Sequence, residues 1–402
     1  MELVELGEVC KFINGDRGKN YPSQKSFIDK GIPFISAKDL DNQRIKKTEL
    51  RFISDNTYSN LGSGKLKHND ILFCLRGSLG KFAVNTDNIK GAIASSLVII
   101  RPLDKVYVNF LAHYLSSNNF KKLVFKSDNG SSQPNLSATN VKKFKIPLPS
   151  LTEQQRIAGI LDEADKLRQL NKQLITKYEQ LSQSLFLDMF GDIKLYSTSW
   201  KVKKINEVIK GYKSGASIKP DEFKKEGFPV LHKGAIKRNG GLKIDLKKKA
   251  FVDLNSSEKY KKSIINKEYL VVTLRDLVPT GPSIGLISKL DKAEKENYLL
   301  AQGAYGLLIN SDYINSTYLV MYSNSQFYRS ELSKYWVGST QIHLRSSVFF
   351  NLKLAIPPIQ LQNQFAERVQ LIEQQKQQAQ EALQKSEDLF NALLQKAFKG
   401  KL

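Results

Sequence analysis

A metal-dependent cleavage pattern is the first candidate for chemistry in this sequence. Pro220-Asp221 is followed by Asp245-Leu246-Lys247, which is similar to nuclease sites where two carboxylates hold Mg²⁺ and a lysine activates water. The pattern is short and common, and Asp245 lies in the lysine-rich run KIDLKKKAF, which is typical of a basic strand or loop. Metal-dependent cleavage is therefore kept only as an alternative hypothesis.

Other catalytic patterns are missing from the sequence. There is no G-x-x-x-x-G-K-[ST] run to hold nucleotide phosphates and no Asn-Pro-Pro-aromatic tetrapeptide of the amino-methyltransferase type. The four histidines lack the spacing of a metal site. We therefore expect no catalytic residue, no metal and no cofactor in this chain. Cys10 and Cys74 lie among apolar residues and are expected to be buried, reduced thiols.

The charge of the chain indicates a polyanionic partner. Lys and Arg number 62 against 39 acidic residues, which gives a formal net charge of +23. A surplus of this size favours nucleic acid over a membrane surface. No run approaches the roughly 18 apolar residues that a membrane span requires, and the N-terminus lacks the pattern of a signal peptide. We expect a cytoplasmic protein that does not enter a membrane.

Basic residues near predicted loops are the main candidates for DNA contacts. Phosphate contacts position a protein on DNA, and arginine and amide side chains recognise base edges. Arg76 and Arg275 are favoured because each ends an apolar, strand-like run at a matching place in the chain. The basic candidates are Arg17, Lys19, Lys38, Arg44 and Arg76 in the first half and Lys213, Lys233, Lys237, Arg238 and Arg275 in the second.

The sequence contains an internal repeat. A shift of 208 residues aligns GSSQPNL, residues 130–136, with GSTQIHL, residues 338–344, and continues without a gap to residues 191 and 399. Upstream, KGIPFIS resembles EGFPVLH, and NDILFCLRG resembles KEYLVVTLRD. The repeat divides the chain into halves at about 192. The repeated Gly-Ser-Ser/Thr-Gln phrase is interpreted as a turn, and either a scaffold role or a phosphate contact through Gln133 and Gln341 remains open.

Each half ends in a segment that is predicted to form one long helix. Residues 152–190 and 360–398 are rich in Gln, Glu, Lys, Leu and Ala, which favour helices. A 4-3 spacing of apolar residues is typical of a coiled coil, and two copies with matching stripes predict an intramolecular antiparallel pair. The predicted stripes contain Ile157, Leu161, Leu174, Leu181 and Leu185 in the first helix and Phe365, Val369, Ile372, Leu383 and Leu393 in the second.

These patterns predict a mixed α/β (α+β) architecture with an internal pseudo-twofold repeat. Short apolar runs separated by Gly, Asn, Asp, Ser and Pro predict strand-rich regions at 1–148 and 193–355. Long spacer helices are predicted within 149–192 and 356–402. Since acids and bases nearly cancel within the helices, the excess positive charge lies on the strand-rich regions. Two basic modules on an antiparallel spacer predict a split DNA target whose halves differ in sequence.

The segment FKIPLPSLTEQQRIAGIL, residues 144–161, resembles the junction between recognition domain and helix in specificity subunits of type I restriction–modification systems. The family pattern I-P-L-P-x-L-x-E-Q-x-R-I is met by Ile146, Pro147, Leu148, Pro149, Leu151, Glu153, Gln154, Arg156 and Ile157. The second copy, residues 354–366, keeps Pro357, Gln362 and Ala366 but departs at Leu361 and Gln364. Contacts made by the family's Glu and Arg are therefore not transferred to the second copy.

The resemblance implies a non-catalytic subunit with two target recognition domains that bind a bipartite, asymmetric site in double-stranded DNA. It also implies two methyltransferase subunits docked on the helices and a restriction and translocation subunit. S-adenosylmethionine, ATP and Mg²⁺ would belong to those partners. Besides a nuclease, a coiled-coil scaffold that binds RNA or acidic proteins is the remaining alternative.

Overall fold

The computed structural model describes residues 2–128, 134–191, 200–237, 240–245, 250–276, 278, 280–291 and 293–402. It divides into two compact units, one of Met1–Asn171 with Glu381–Leu402 and one of Lys172–Gln380. Each unit contains one strand-rich region and part of both long helices. Within the described ranges, no helix combines the length and the apolar character needed to cross a membrane.

The first unit begins with short strands and helices whose apolar residues form its core. The strands are β1 (Glu2–Glu5), β2 (Cys10–Asn14), β3 (Phe27–Ile28), β4 (Ile32–Ile35), β5 (Leu40–Asp41), β6 (Arg44–Ile45), β7 (Arg51–Ile53), β8 (Ile71–Cys74), β9 (Phe82–Val84), β10 (Ala92–Ile93), β11 (Leu97–Pro102) and β12 (Lys145–Leu148). The helices are α1 (Leu6–Val9), α2 (Asp55–Asn60), α3 (Val108–Ser116), α4 (Asn118–Lys126), α5 (Ala138–Lys142) and α6 (Leu151–Phe190).

Two four-stranded sheets organise this region, in the orders β10-β4-β7-β3 and β2-β11-β8-β9. Their strands are short and mostly buried, as Ile71–Cys74 is on both faces, which explains why the sequence shows continuous apolar runs rather than alternation. Strands β1 and β12 pair antiparallel and join the start of the region to its end.

The second unit has a similar order of elements. Its strands are β13 (Lys201–Lys204), β14 (Ile209–Ser214), β15 (Phe223–Lys224), β16 (Phe228–Leu231), β17 (Phe251–Val252), β18 (Ile264–Ile265), β19 (Leu270–Thr273), β20 (Arg275–Asp276), β21 (Ile287–Ser288), β22 (Tyr298–Leu300), β23 (Ala304–Ile309), β24 (Ile342–His343) and β25 (Lys353–Ile356). Its helices are α7 (Leu254–Lys259), α8 (Ser316–Asn324), α9 (Gln326–Ser333), α10 (Ser346–Phe350) and α11 (Ile359–Ala397).

The sheets of the second unit repeat those of the first. The order β14-β23-β19-β21 corresponds to β2-β11-β8-β9, and β13 pairs with β25 as β1 pairs with β12. The parallel contact between β16 and β22 corresponds to that between β4 and β10. The predicted internal repeat and the mixed helix and strand class are therefore confirmed.

The long helices α6 and α11 pack antiparallel. In the first unit, Ile157 and Leu161 near the start of α6 share a core with Phe390 and Leu394 near the end of α11. In the second unit, Phe186 at the end of α6 lies 5.6 Å, between ring centroids, from Phe365 near the start of α11. Because opposite ends are paired in both units, the predicted antiparallel coiled coil is confirmed.

The register of the first helix differs from the prediction at two leucines. Leu174 and Leu181 are 39% and 49% exposed, whereas the side chains turned inward at this level include Tyr178 and the buried Ser182. The stripe is shifted because polar residues occupy the heptad positions, for instance Asn171, whose amide donates to Ser386 Oγ at 3.3 Å. The predicted 4-3 stripe is therefore wrong at Leu174 and Leu181.

The other predicted stripe residues lie on inward or partly covered faces. Ile157, Leu161, Phe365 and Val369 are buried. Leu185 and Leu393 pack against the cores of the second and first units respectively. Ile372 and Leu383 are partly buried.

Candidate nucleic-acid interface

Arg76 follows strand β8 and is paired with the chain segment that returns toward α6. Its backbone forms an antiparallel bridge with Asn135. On one side the Leu136 N–H donates to the Leu75 carbonyl at 2.8 Å, and on the other the Gly77 N–H donates to Pro134 at 3.1 Å. Arg76 and Asn135 are both exposed, while Leu75 and Leu136 are buried. The leucines therefore anchor a pairing that presents the two polar side chains to solvent.

Arg275 occupies the same position in the second unit. It pairs antiparallel with His343, and its neighbour Asp276 pairs with Ile342. The Leu344 N–H donates to the Leu274 carbonyl at 2.9 Å, which matches the bond between Leu136 and Leu75. Arg275 and His343 are exposed. The sequence pattern thus located an arginine in each half that the fold places in one repeated backbone arrangement.

The second copy of the repeated phrase is a tight hairpin loop. Val337 and His343 exchange two backbone hydrogen bonds of 2.9 Å, which closes the loop around Gly338–Gln341. Gly338 has φ +110°, and a Cβ there would overlap the carbonyl of Gln341, so glycine is required at this turn. Gln341 itself is exposed. The glycine and leucine of the phrase are structural, and Gln341 lies at the tip.

An open cleft of about 540 Å³ lies beside Arg275. Its wall includes Gln302, His343 and Arg345. Gly303, at φ +92°, leaves room for the aliphatic part of the Arg275 side chain, because a Cβ would lie 3.1 Å from Arg275 Cδ. The cleft combines arginine, amide and imidazole groups, which are the groups that contact base edges and phosphates.

Sequence reasoning missed Arg345 and Gln302 as members of this cleft. Arg345 is exposed and follows Leu344 directly, so its position after the repeated phrase was the available signal. Its counterpart Ser137 instead accepts a hydrogen bond from the Thr139 N–H at 3.0 Å. Gln302 had no signal in the sequence, since the strand pairing alone brings it to the cleft.

Arg17 and Lys19 lie in a loop fixed by Asp16. The Asp16 carboxylate accepts hydrogen bonds from the Gly18 N–H at 2.8 Å and the Gly62 N–H at 2.7 Å, and these bonds lower its pKa. Arg17 donates to the Ser95 carbonyl at 3.3 Å, next to the strand segment that pairs near Arg76. Arg17 and Lys19 are both exposed.

Lys38 lies in the turn that follows strand β4, and Arg44 is the first residue of the short strand β6. Both side chains are exposed. Lys81 Nζ donates to the Ala37 carbonyl at 3.3 Å, which ties the Lys38 turn to the connection between β8 and β9. Lys38 and Arg76 therefore extend from connections between strands of the first unit, and Arg44 extends from a short strand of the same unit.

The lysines predicted in the second unit differ in their surroundings. Lys213 is half-buried, donates to the Ile264 carbonyl at 2.6 Å, and lies 5.2 Å from the centre of the Tyr269 ring. Its ammonium group is thus engaged within the unit. Lys233 is partly exposed and Lys237 is exposed, both in the loop after β16. Gln133 and Arg238 lie outside the described residues.

The glutamine of the junction motif joins each long helix to its recognition region. Gln154 Oε1 accepts from the Tyr107 N–H at 2.8 Å, and its amide donates to the carbonyls of Lys105 and Pro149. Gln362 makes the same bonds to Asn315, Tyr313 and Pro357. Both glutamines are fully buried. This part of the motif is structural rather than a DNA contact.

The motif's acid and arginine form a contact that the second copy lacks. Arg156 makes a two-pronged ion pair with Glu153, and also donates to the Leu402 carbonyl at 2.9 Å. The corresponding positions, Leu361 and Gln364, cannot form such a pair.

The structure also describes part of the nuclease-like pattern and both cysteines. Asp221 and Asp245 are exposed, and Leu246 and Lys247 lie outside the described residues. Within the described part of the chain, no three or more His, Cys, Asp or Glu side chains form a group suited to a metal ion. Cys10 and Cys74 are buried free thiols, as predicted, and burial raises the pKa of Cys10 to about 12.

Comparisons with known proteins give one consistent family. The family model described as "Type I restriction modification DNA specificity domain" matches residues 1–180 and again 198–385. The type I restriction enzyme MjaVIII specificity subunit of Methanocaldococcus jannaschii is 26% identical, over 98% of this chain and 92% of the relative. The EcoKI specificity subunit of Escherichia coli K12 is 21% identical, over 100% and 89%.

Solved structures show the same fold. The S subunit of a type I restriction–modification system from M. genitalium has a TM-score of 0.55 at 16% identity and covers 99% of this chain and 96% of its own. A chain from a structural study of type I system assembly has a TM-score of 0.60 at 18% identity, with coverage of 100% and 98%. The chain therefore belongs to the type I restriction–modification DNA specificity family, and it is a non-catalytic subunit that recognises DNA sequence within such a complex.

Proposed function

We propose that the chain recognises a bipartite, asymmetric DNA site, with one target recognition domain for each half. Residues 1–148 would contact one half-site and residues 193–355 the other. The proposal is supported by the matching arrangement of buried residues and strands in the two regions. Buried residues of the frame match, whereas exposed positions such as Asn135 and His343 differ, as expected if the halves recognise different bases.

The observation that carries the proposal is the repeated pairing of Arg76 with Asn135 and of Arg275 with His343. In each unit it places an exposed arginine beside a second exposed polar side chain on paired backbone. Arginine binds guanine edges in two-pronged fashion, and asparagine and histidine offer further base or phosphate contacts. We assign base contacts to Arg76 and Arg275.

The remaining candidates are assigned to positioning on the phosphate backbone. These are Arg17, Lys19, Lys38, Arg44, Lys213, Lys233, Lys237, Arg238, Gln133 and Gln341. For Lys213 the role is secondary, since its ammonium group already binds the Ile264 carbonyl. The high positive charge of the chain supports an electrostatic contribution of this kind, which weakens as salt rises.

The helices of residues 149–192 and 356–402 are proposed to set the unspecified spacer and to dock two methyltransferase subunits. The exposed Leu174 and Leu181 in the second unit supply apolar surface that a protein partner would cover. A restriction and translocation subunit completes the proposed complex. Adenine methylation, with S-adenosylmethionine, and ATP- and Mg²⁺-dependent cleavage are assigned to these partners.

Genome-wide mapping of adenine methylation tests the proposal. Cells that express this chain with its methyltransferase partners should methylate one split motif with unlike halves, and deletion of this gene alone should remove that motif. An uninterrupted motif, or an unchanged methylation pattern after deletion, would contradict the proposal. A scaffold for RNA or acidic proteins would instead show no preference for one split duplex in competition binding.

A further inference from the structure

Helix α4 (Asn118–Lys126) exposes a large aromatic side chain. Phe125 is 83% exposed, the highest value among the large hydrophobic side chains of the described residues. The opposite face of the helix is buried through Phe120 and Val124, and Phe120 makes edge contacts with the rings of Phe73 and Phe144. Phe125 is thus held on a well-packed helix with its ring in solvent.

The second unit repeats the frame of this helix but not its exposed ring. Ser117 and Ser325 cap α4 and α9 in the same way, each accepting a backbone N–H bond of 3.2 Å from the residue three positions later. The buried Phe120 and Val124 correspond to the buried Tyr328 and Leu332. At the position of Phe125 the second unit has the exposed Ser333. Packing does not require the phenylalanine, and the two halves differ there.

The basic residues around Phe125 also differ in their pairing from those at the matching positions of the second unit. Lys121, Lys122 and Lys126 are exposed and form no ion pair with any described residue. In the second unit, by contrast, Arg329 of α9 donates to backbone carbonyls, including Gly281 at 2.8 Å, and Lys334, directly after α9, is paired with Glu331 at 2.5 Å. The surface of α4 therefore retains positive charge for an external anion.

Contacts place the end of α4 beside Arg76. Val124 packs on Gly80, where a Cβ would lie 3.4 Å from the Val124 side chain, and Gly80 ends the turn that follows Arg76. The Asp128 carboxylate accepts a hydrogen bond from the Asn135 N–H at 2.9 Å, and Asn135 pairs with Arg76. The aromatic ring, the lysines and the proposed base-contacting arginine thus belong to one end of the first unit.

We infer that Phe125 is an aromatic DNA contact that acts only in the first half-site, where its ring stacks on a base or lies between two bases while the flanking lysines bind phosphates. Every base has an aromatic face, and aromatic side chains stack on bases or wedge between base steps. A basic surface with one exposed ring fits a nucleic acid better than an apolar protein partner. This inference rests on the proposed function. It adds a specificity-determining residue to one half of the site, because the energy needed to open a base step for the ring depends on the sequence of that step.

Binding of the methyltransferase complex to a duplex with the mapped motif tests the inference. Phe125→Ala should weaken binding by about 5- to 150-fold, the range expected for the loss of one stacking contact. Phe125→Trp should retain affinity within about threefold of wild type, since the larger ring also stacks. Leu123→Ala is the matched control, because Leu123 is an exposed apolar residue of the same helix, and it should bind like wild type.

A second measurement localises the effect to one half-site. The first half-site is the half of the motif that is unchanged when residues 196–350 are exchanged. Phe125→Ala should reduce discrimination against base changes in that half and leave discrimination in the other half at the wild-type level. Equal loss in both halves, or wild-type affinity of Phe125→Ala, would overturn the inference.

The outcomes also separate this inference from the proposed function. If Phe125→Ala impairs assembly with the methyltransferase subunits but leaves the DNA affinity of assembled complexes intact, the ring is a protein contact and the inference fails. Loss of affinity in Arg76→Ala together with wild-type behaviour of Phe125→Ala refutes only the aromatic contact. The absence of any split motif in the wild-type methylation map refutes the proposed function itself.

Discussion

The glutamines that hold each long helix to its recognition region are the same in both halves of the repeat, whereas some exposed residues at matching positions differ. Gln154 and Gln362 are buried and make matching sets of three hydrogen bonds to backbone groups. The glutamine retained in both copies is therefore explained by hydrogen bonds within the protein. The exposed partners of the arginines, Asn135 and His343, are free to differ.

Removal of either glutamine should destabilise the unit that contains it. Gln154→Ala leaves one backbone N–H and two carbonyls without their partner, which costs about 1–3 kcal/mol of unfolding free energy. We expect lower denaturant midpoints for Gln154→Ala and Gln362→Ala. The neighbouring Gln155→Ala and Gln364→Ala are matched controls, since both side chains are exposed. Equal midpoints for Gln154→Ala and Gln155→Ala would contradict this role.

Residue types predicted part of the candidate site, and topology supplied the rest. Arg76 and Arg275 were found because each ends an apolar run that matches across the repeat. Their pairing with Asn135 and His343 could not be predicted, because those partners lie 59 and 68 positions away along the chain and meet only through strand pairing. The hydrogen bond from Lys213 to the Ile264 carbonyl could not be predicted either, since the sequence does not distinguish a solvated lysine from a bound one.

At the scale of elements, helix α6 shows how part of an apolar stripe can be assigned to the wrong face. Leu167 and Leu174 satisfy a heptad, but so do Arg168 and Ile175 one position later. Arg168 lies 4.3 Å from the centre of the Phe390 ring and is bonded to Asp165, so a cation occupies an inward position. Existence, length and antiparallel pairing of the helices followed from composition, whereas the register depended on these polar contacts.

The register predicts different costs for two truncations within the second unit. Phe365→Ala removes a fully buried ring that packs against Phe186 and Phe190, and should cost about 3–5 kcal/mol. Leu181→Ala removes an exposed side chain and should change stability by about 0.5 kcal/mol or less. Chemical denaturation of the full chain measures both. A loss of several kcal/mol in Leu181→Ala would restore the original stripe and contradict the observed register.

At the scale of the whole molecule, the duplication converts one recognition module into two that diverge on a common frame. The strand orders, the junction glutamines and the caps of α4 and α9 repeat. At matching exposed positions the residues differ, as Phe125 does from Ser333 and Ser137 from Arg345. Composition and repeat were enough to predict two basic modules on a helical spacer. The bases recognised were beyond prediction, because they depend on exposed loop side chains and on DNA shape.

Exchange of one module tests most directly whether each module contacts its own half-site. If residues 196–350 are replaced by the same segment of a family member with another specificity, one half of the methylated motif should change and the other half should be retained. The physical reason is that the long helices and residues 1–148, including the contacts of Gln154, are kept, so the unaltered module contacts its half-site as before. Adenine methylation mapping of cells with the hybrid chain and the original methyltransferase partners gives the result.

The reciprocal exchange of residues 1–148 is the matched control and should alter only the opposite half. A hybrid that assembles with the methyltransferase subunits but changes both halves would show that base contacts are shared between modules, against the assignment of Arg76 and Arg275 to separate half-sites. A hybrid that fails to assemble is distinguished by co-purification. Two hybrids that each change a different half would show that each strand-rich region carries its own base contacts, because each hybrid retains the other region unchanged.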